Sequence, residues 1–123
     1  MIRELVAVGF GGAAGSIARY LLSSGMMAGH TLLGFPAGTF TVNALGSLLI
    51  GVLLEATESE TLGWLLIVGF CGGFTTFSTF SADAVRLLRA ECYGPAALYI
   101  GLSAAVCIAF AGLGMWIGTT LKN

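Results

Sequence analysis

Phe77 and Phe80 stand three residues apart, with Ser78, Thr79 and Ser81 around them and Thr75 and Thr76 just before. An aromatic ring is negative on its face and positive at its edge, so two phenylalanines can offer ring edges to an anion while carrying no charge. At helical spacing they lie within about 60° of each other and face one path. Ser78 and Ser81 repeat that spacing, and Thr75 and Thr79 are four apart. A plainer reading stays open, in which the rings are apolar filler and the hydroxyls bond back to their own helix.

Asn43 adds an amide whose NH₂ carries two donors, suited to an anion that has shed its water or to a bond between helices. Thr39 lies four residues before it on the same face. Tyr99 and Ser103, also four apart, extend a hydroxyl row that Cys107 continues with a poorer donor. Arg19 either snorkels to an interface or draws anions into a vestibule. Asp83 and Arg86, three apart, read as a structural pair, and His30 reads as a solvated loop residue.

The run Gly69 to Ser81 holds adjacent glycines, five hydroxyls and four phenylalanines inside an apolar segment. Two successive glycines weaken a helix, and irregular backbone at membrane depth is tolerated only when buried in protein or lining a water-filled cavity. The spacing therefore predicts a broken helix, with Gly72 to Thr76 as the break and Phe77 to Ser81 opening the second half. Carbonyls freed at such a break can coordinate a small cation.

These residues belong to a chain of 123, 57% hydrophobic and 9% charged, with a mean hydropathy of +0.96. That describes an integral membrane protein rather than a soluble domain. A net charge of -1 argues against nucleic acid as a partner. Cys71, Cys92 and Cys107 are odd in number and scattered, which suits small buried hydrophobes better than a disulfide framework or a metal pair. No membrane-embedded nucleophile-base pair, HExxH or phosphate loop occurs, so the chain reads as a non-enzyme.

Four segments are long enough to cross a bilayer, at about 5–22, 38–54, 62–88 and 95–121, forming one all-α transmembrane domain. The third is long, at about 27 residues. Ser23 to Ala37 reads as a loop, Glu55 to Glu60 as an acidic turn, and Pro95 suits the first turn of the last helix. The start of the chain has some likeness to a signal peptide, but Glu4 offsets Arg3 and three similar spans follow. Tyr20 and Tyr93 fall toward one membrane face, Trp64 and Trp116 toward the other, as an aromatic belt.

Gly11-x-x-x-Gly15 and Gly114-x-x-x-Gly118 are small-residue contact motifs. Four short helices enclose little space, so a pore forms more easily between two copies, and a homodimer is expected. With four spans, Arg3 and Lys122 lie on one side and Arg19, Arg86 and Arg89 on the other. So slight a bias gives the insertion machinery little instruction. Insertion in both orientations, and an antiparallel dimer, follow as expectations; packing or the membrane potential fixing one orientation is the alternative.

The run Gly72-Gly73-Phe74-Thr75-Thr76-Phe77-Ser78-Thr79-Phe80-Ser81 resembles the signature of the Fluc (CrcB) fluoride channel family. Gly38 to Asn43 resembles its second-helix motif and Gly11 to Tyr20 its first-helix motif, so the likeness covers essentially the whole chain. The resemblance implies a fluoride-selective passive channel in the cell inner (plasma) membrane that relieves fluoride toxicity. It implies a dual-topology, antiparallel homodimer with two fluoride pores and a central structural sodium ion, held by the backbone carbonyls of Gly72 and Thr75 from both copies. Phe77 and Phe80 correspond to ring-edge fluoride ligands, Asn43 to a pore amide, Ser78, Thr79, Tyr99 and Ser103 to a polar track, and Arg19 to a vestibule arginine. Asp83 stands where many relatives have glutamate, and Cys107 where some have serine. Two other readings are a small multidrug exporter, which would need an embedded carboxylate, and a non-transporting membrane scaffold.

Overall fold

The computed structural model describes residues 1–122. Its architecture is four apolar helical spans, Ile2–Met26, Ala37–Ala56, Glu60–Arg89 and Tyr93–Lys122, each long and apolar enough to cross a membrane. The spans extend a few residues beyond the hydropathy segments, because helix geometry continues into interfacial residues that a hydropathy window discounts.

The first span is α1 (Ile2–Tyr20) continued by a π-helical stretch, Leu21–Met26. The connection beyond it is not wholly irregular, as the Gly and Pro content suggests, but ends in a hairpin of β1 (Thr31–Leu32) and β2 (Phe35–Pro36). Leu33 and Gly34 turn it with φ of 51° and 87°, the positive-φ pair that a tight two-residue hairpin needs. Phe35 is then fully buried, with its ring centroid 4.9 Å from that of Tyr99 and 5.5 Å from that of Phe40.

The second span is α2 (Ala37–Ala56). In the third, α3 (Glu60–Leu62) runs into a π-helical Gly63–Cys71, then α4 (Gly72–Phe74). Thr75 and Thr76 take extended backbone, φ/ψ of -92°/158° and -151°/117°, before α5 (Phe77–Arg89). The fourth span is α6 (Tyr93–Lys122), with Pro95 in its first turn.

The glycine motifs meet neighbours inside the chain. A side chain at Gly11 would collide with the Leu65 carbonyl, and one at Gly15 with that of Phe70, so α1 lies directly on the third span. In the same way Gly114 faces the Leu48 carbonyl and Gly51 faces that of Ala111, locking α6 onto α2. Close backbone approach without side-chain interference is what small residues supply where lipid offers no hydrophobic drive. Phe10, Tyr20, Trp116 and Ile108 are among the large apolar side chains left exposed, as lipid-facing residues must be.

Candidate functional site

The local geometry begins with a competition for one N–H. In an unbroken helix the Thr76 N–H would bond the Gly72 carbonyl four residues earlier. Instead it donates to the Asn43 Oδ1 at 2.8 Å, while the Asn43 Nδ2 donates to the Thr76 carbonyl at 3.0 Å. One amide from α2 thus takes both polar groups of a single peptide residue in the third span. The Gly72 carbonyl is left without that helical donor. The Gly73 carbonyl is met by the Arg19 Nε at 3.0 Å.

The glycines themselves remain helical, with Gly72 at φ/ψ -62°/-38°, so the extended backbone is confined to Thr75 and Thr76. The expectation that Gly72 to Thr76 leave the helix together is corrected on this point. Gly73 serves close packing, since a side chain there would press on Gly12 and Ser16 of α1.

Thr76 also restarts the helix. Its Oγ1 accepts the Thr79 N–H at 3.2 Å, an N-cap bond, and lies 3.1 Å from the Thr79 hydroxyl and 3.3 Å from that of Ser78. The Thr79 N–H, the helical donor for the Thr75 carbonyl, is therefore turned elsewhere. Thr75 and Ser81 bond back to the carbonyls of Cys71 and Phe77, each at 2.9 Å, as hydroxyls in helices commonly do.

Two grooves adjoin this segment, and Thr76 is on the wall of both. The larger, about 790 Å³, is mostly apolar and brings together Asn43, Gly72, Thr75, Phe77, Phe80, Ser103 and Cys107. Phe77 is 77% exposed and its ring stands 5.5 Å from that of Phe80 at 45°, so their edges and faces are presented at different angles. Ser103 is buried, and its hydroxyl has no hydrogen-bond partner among the described residues. A buried unpartnered hydroxyl costs about 1–3 kcal/mol, which favours an occupant that can bond to it.

The smaller groove, about 410 Å³, is more polar than the larger and is lined by Arg19, Ser23, His30, Thr39, Thr79 and Asp83 among others. Thr39 and Thr79 therefore do not share the wall that holds Asn43 and the phenylalanines. Tyr99 is fully buried, its ring centroid 4.9 Å from that of Phe80 with the planes tilted by 53°, and its hydroxyl donates to the Asp83 Oδ2 at 3.1 Å. Its hydroxyl is thus committed to a carboxylate. Asp83 pairs with Arg86 at 3.1 Å through its other oxygen, so the pair read from the sequence has a third member, sixteen residues away, that spacing along one helix could not reveal. No His, Cys, Asp or Glu cluster able to hold a metal occurs among the described residues.

Fold and site together define a multi-pass helical membrane protein with polar groups gathered at the centre of its third span. A family model described as "CrcB-like protein, Camphor Resistance (CrcB)" matches residues 6–115. Three relatives carry the name "Fluoride-specific ion channel FluC". That of Ruegeria sp. (strain TM1040) is 47% identical over 94% of this chain and 94% of its own. That of Leptospira interrogans serogroup Icterohaemorrhagiae serovar copenhageni (strain Fiocruz L1-130) is 44% identical over 98% and 96%. That of Coxiella burnetii (strain Dugway 5J108-111) is 47% identical over 88% and 91%. The chain belongs to the CrcB-like (Fluc) family, whose named relatives are channels rather than enzymes.

Proposed function

We propose that this protein is a fluoride-selective passive channel that lets cytoplasmic fluoride leave the cell across the inner membrane. The observation that carries the reading is the placement of the Asn43 amide, the Phe77 and Phe80 rings and the unpartnered Ser103 hydroxyl on one groove, in a chain nearly half identical to proteins named for fluoride conduction. The groove is open along its side and Phe77 stands largely exposed, which suits closure by a second copy. The working unit is an antiparallel, dual-topology homodimer with two pores.

The chemistry suits a small, hard anion. Fluoride entering as uncharged HF ionises in a near-neutral cytoplasm, and the membrane potential drives the anion out at about 2.3 kcal/mol per charge per 100 mV. A pore must replace hydration without trapping the ion. Hydroxyl and amide donors supply strong, directed bonds, whereas ring edges supply weak ones; alternating the two keeps each stop shallow. The second N–H of the Asn43 amide is free for the ion once the first is given to Thr76.

The Gly72 and Thr75 carbonyls, relieved of their helical donors by Asn43 and Thr76, fit a hard monovalent cation, and sodium held there by both copies would supply a fixed positive charge between the pores. Arg19 holds the Gly73 carbonyl beside them and adds positive charge to the smaller groove.

The test is fluoride efflux from liposomes holding the purified protein, followed with a fluoride electrode, with valinomycin carrying potassium and chloride as the matched anion. Rapid fluoride loss without chloride loss, suppressed by Phe80→Ile or by Phe77→Ile, is expected. Folded protein that releases no fluoride would overturn the reading.

A further inference from the structure

Cys107 puts a soft sulfur on the wall of the groove assigned to the anion. It stands on α6 four residues beyond Ser103, which places their Cβ atoms about 5–6 Å apart on one helix face. Both line the larger groove together with Asn43 and Phe80. Ser103 is 6% exposed and its hydroxyl has no hydrogen-bond partner among the described residues. That stretch of wall therefore sets an unpaired hydroxyl beside a thiol.

The other two thiols are placed differently. Cys71 reaches the same groove from the third span but is only 1% exposed. Cys92 lies in the turn between α5 and α6, where its Sγ is 3.7 Å from the Ala90 carbonyl. Cys107 is part-exposed, so of the two sulfurs on the groove it is the one a solute can reach. A thiol is a weak hydrogen-bond donor, and a hard anion gains little from it. As thiolate, however, it is a nucleophile and a metal ligand, and it selects soft cations such as copper(I) over the hard ones that oxygen donors take.

We propose that Cys107, with the Ser103 hydroxyl beside it, is a binding site for soft, thiol-seeking metal cations inside the anion groove, and that filling it stops fluoride passage. The block rests on the channel reading above. With methylmercury hydroxide as the probe, the Cys107 sulfur forms a bond to mercury, the mercury to oxygen bond breaks, and the thiol proton leaves with the hydroxide as water. Nothing is oxidised or reduced. The adduct occupies the wall one helical turn from Ser103 and covers its hydroxyl, so the anion loses a donor and the space in front of it together. Both copies of a homodimer carry the thiol, so block runs to completion rather than to half. An excess of a small dithiol takes the metal back and restores the flux.

The experiment is fluoride efflux from proteoliposomes before and after methylmercury hydroxide, each variant normalised to its own untreated flux, with peptide mapping of the same samples to find which cysteine carries mercury. Wild type should lose its fluoride flux and regain it with dithiol, and magnesium, a hard cation, should leave it unchanged at the same concentration. Cys107→Ser and Cys107→Ala should both escape the block, while Cys71→Ser and Cys92→Ser remain sensitive. Mercury should map to Cys107 before Cys71. Wild-type flux that the reagent leaves unchanged, a block that persists in both Cys107 variants, or Cys107 found unmodified would overturn the inference and leave the channel standing. Absence of fluoride flux before any reagent is added would overturn the channel reading itself, and mercury on Cys107 ahead of Cys71 would then still uphold the metal site.

Discussion

Replacing Asn43 with alanine tests the brace at the centre of the molecule. Two hydrogen bonds to Thr76, at 2.8 and 3.0 Å, are lost together. At about 0.5–1.5 kcal/mol net for each, the cost is about 1–3 kcal/mol. Part is recovered if the released Thr76 N–H turns back to the Gly72 carbonyl, restoring the helix that Asn43 interrupts. That recovery removes the carbonyl from the proposed cation site, so Asn43→Ala should lose stability and sodium dependence at once. The assay is thermal unfolding of the purified protein by circular dichroism, in sodium and in an equal concentration of N-methylglucamine. Wild type should melt higher in sodium, since a ligand bound only by the folded state stabilises it. The variant should melt lower by several degrees and equally in both salts. If Asn43→Ala melts with wild type, or keeps the full sodium increment, the argument that this amide holds the extended segment open is wrong.

Tyr99→Phe removes the hydroxyl that donates to Asp83; a bond to a charged group is worth about 1.5–3 kcal/mol, so unfolding should shift by that order, and a shift within error would refute the assignment. Thr76→Val removes the N-cap of α5 at about 1 kcal/mol, read in the same melt, and an unchanged melting temperature would show that the cap contributes nothing. Gly114→Val forces a side chain against the Leu48 carbonyl, whereas Gly112 has open space around it. Gly114→Val should therefore abolish recovery of folded protein from membranes while Gly112→Val is recovered, as judged by gel filtration, and equal recovery of the two would contradict the α2 to α6 packing.

Much of the architecture was legible because a bilayer reads one-dimensional properties. Runs of apolar residues near twenty long must be helices there, since every backbone polar group has to be satisfied within the segment. Gly11, Gly15, Gly114 and Gly118 announced close contacts, though not which carbonyls they would meet. The hairpin was hidden because its strands are two residues each, too short for any alternating pattern. Its turn depends on Leu33 at positive φ, which side-chain type would not suggest.

The site divides in the same way. The sequence by itself determined the spans, the glycines and hydroxyls crowded into the third of them, and the family. Tertiary structure decided the bonding, since Asn43 meets Thr76 across 33 residues and Arg19 meets Gly73 across 54. It also decided that Thr75 and Thr76, rather than the glycines, leave the helix, and that Tyr99 points its hydroxyl at Asp83. The physical reason is that local sequence sets what a backbone group can tolerate, whereas the partner that captures it must arrive from another helix, and only packing brings that partner within 3 Å.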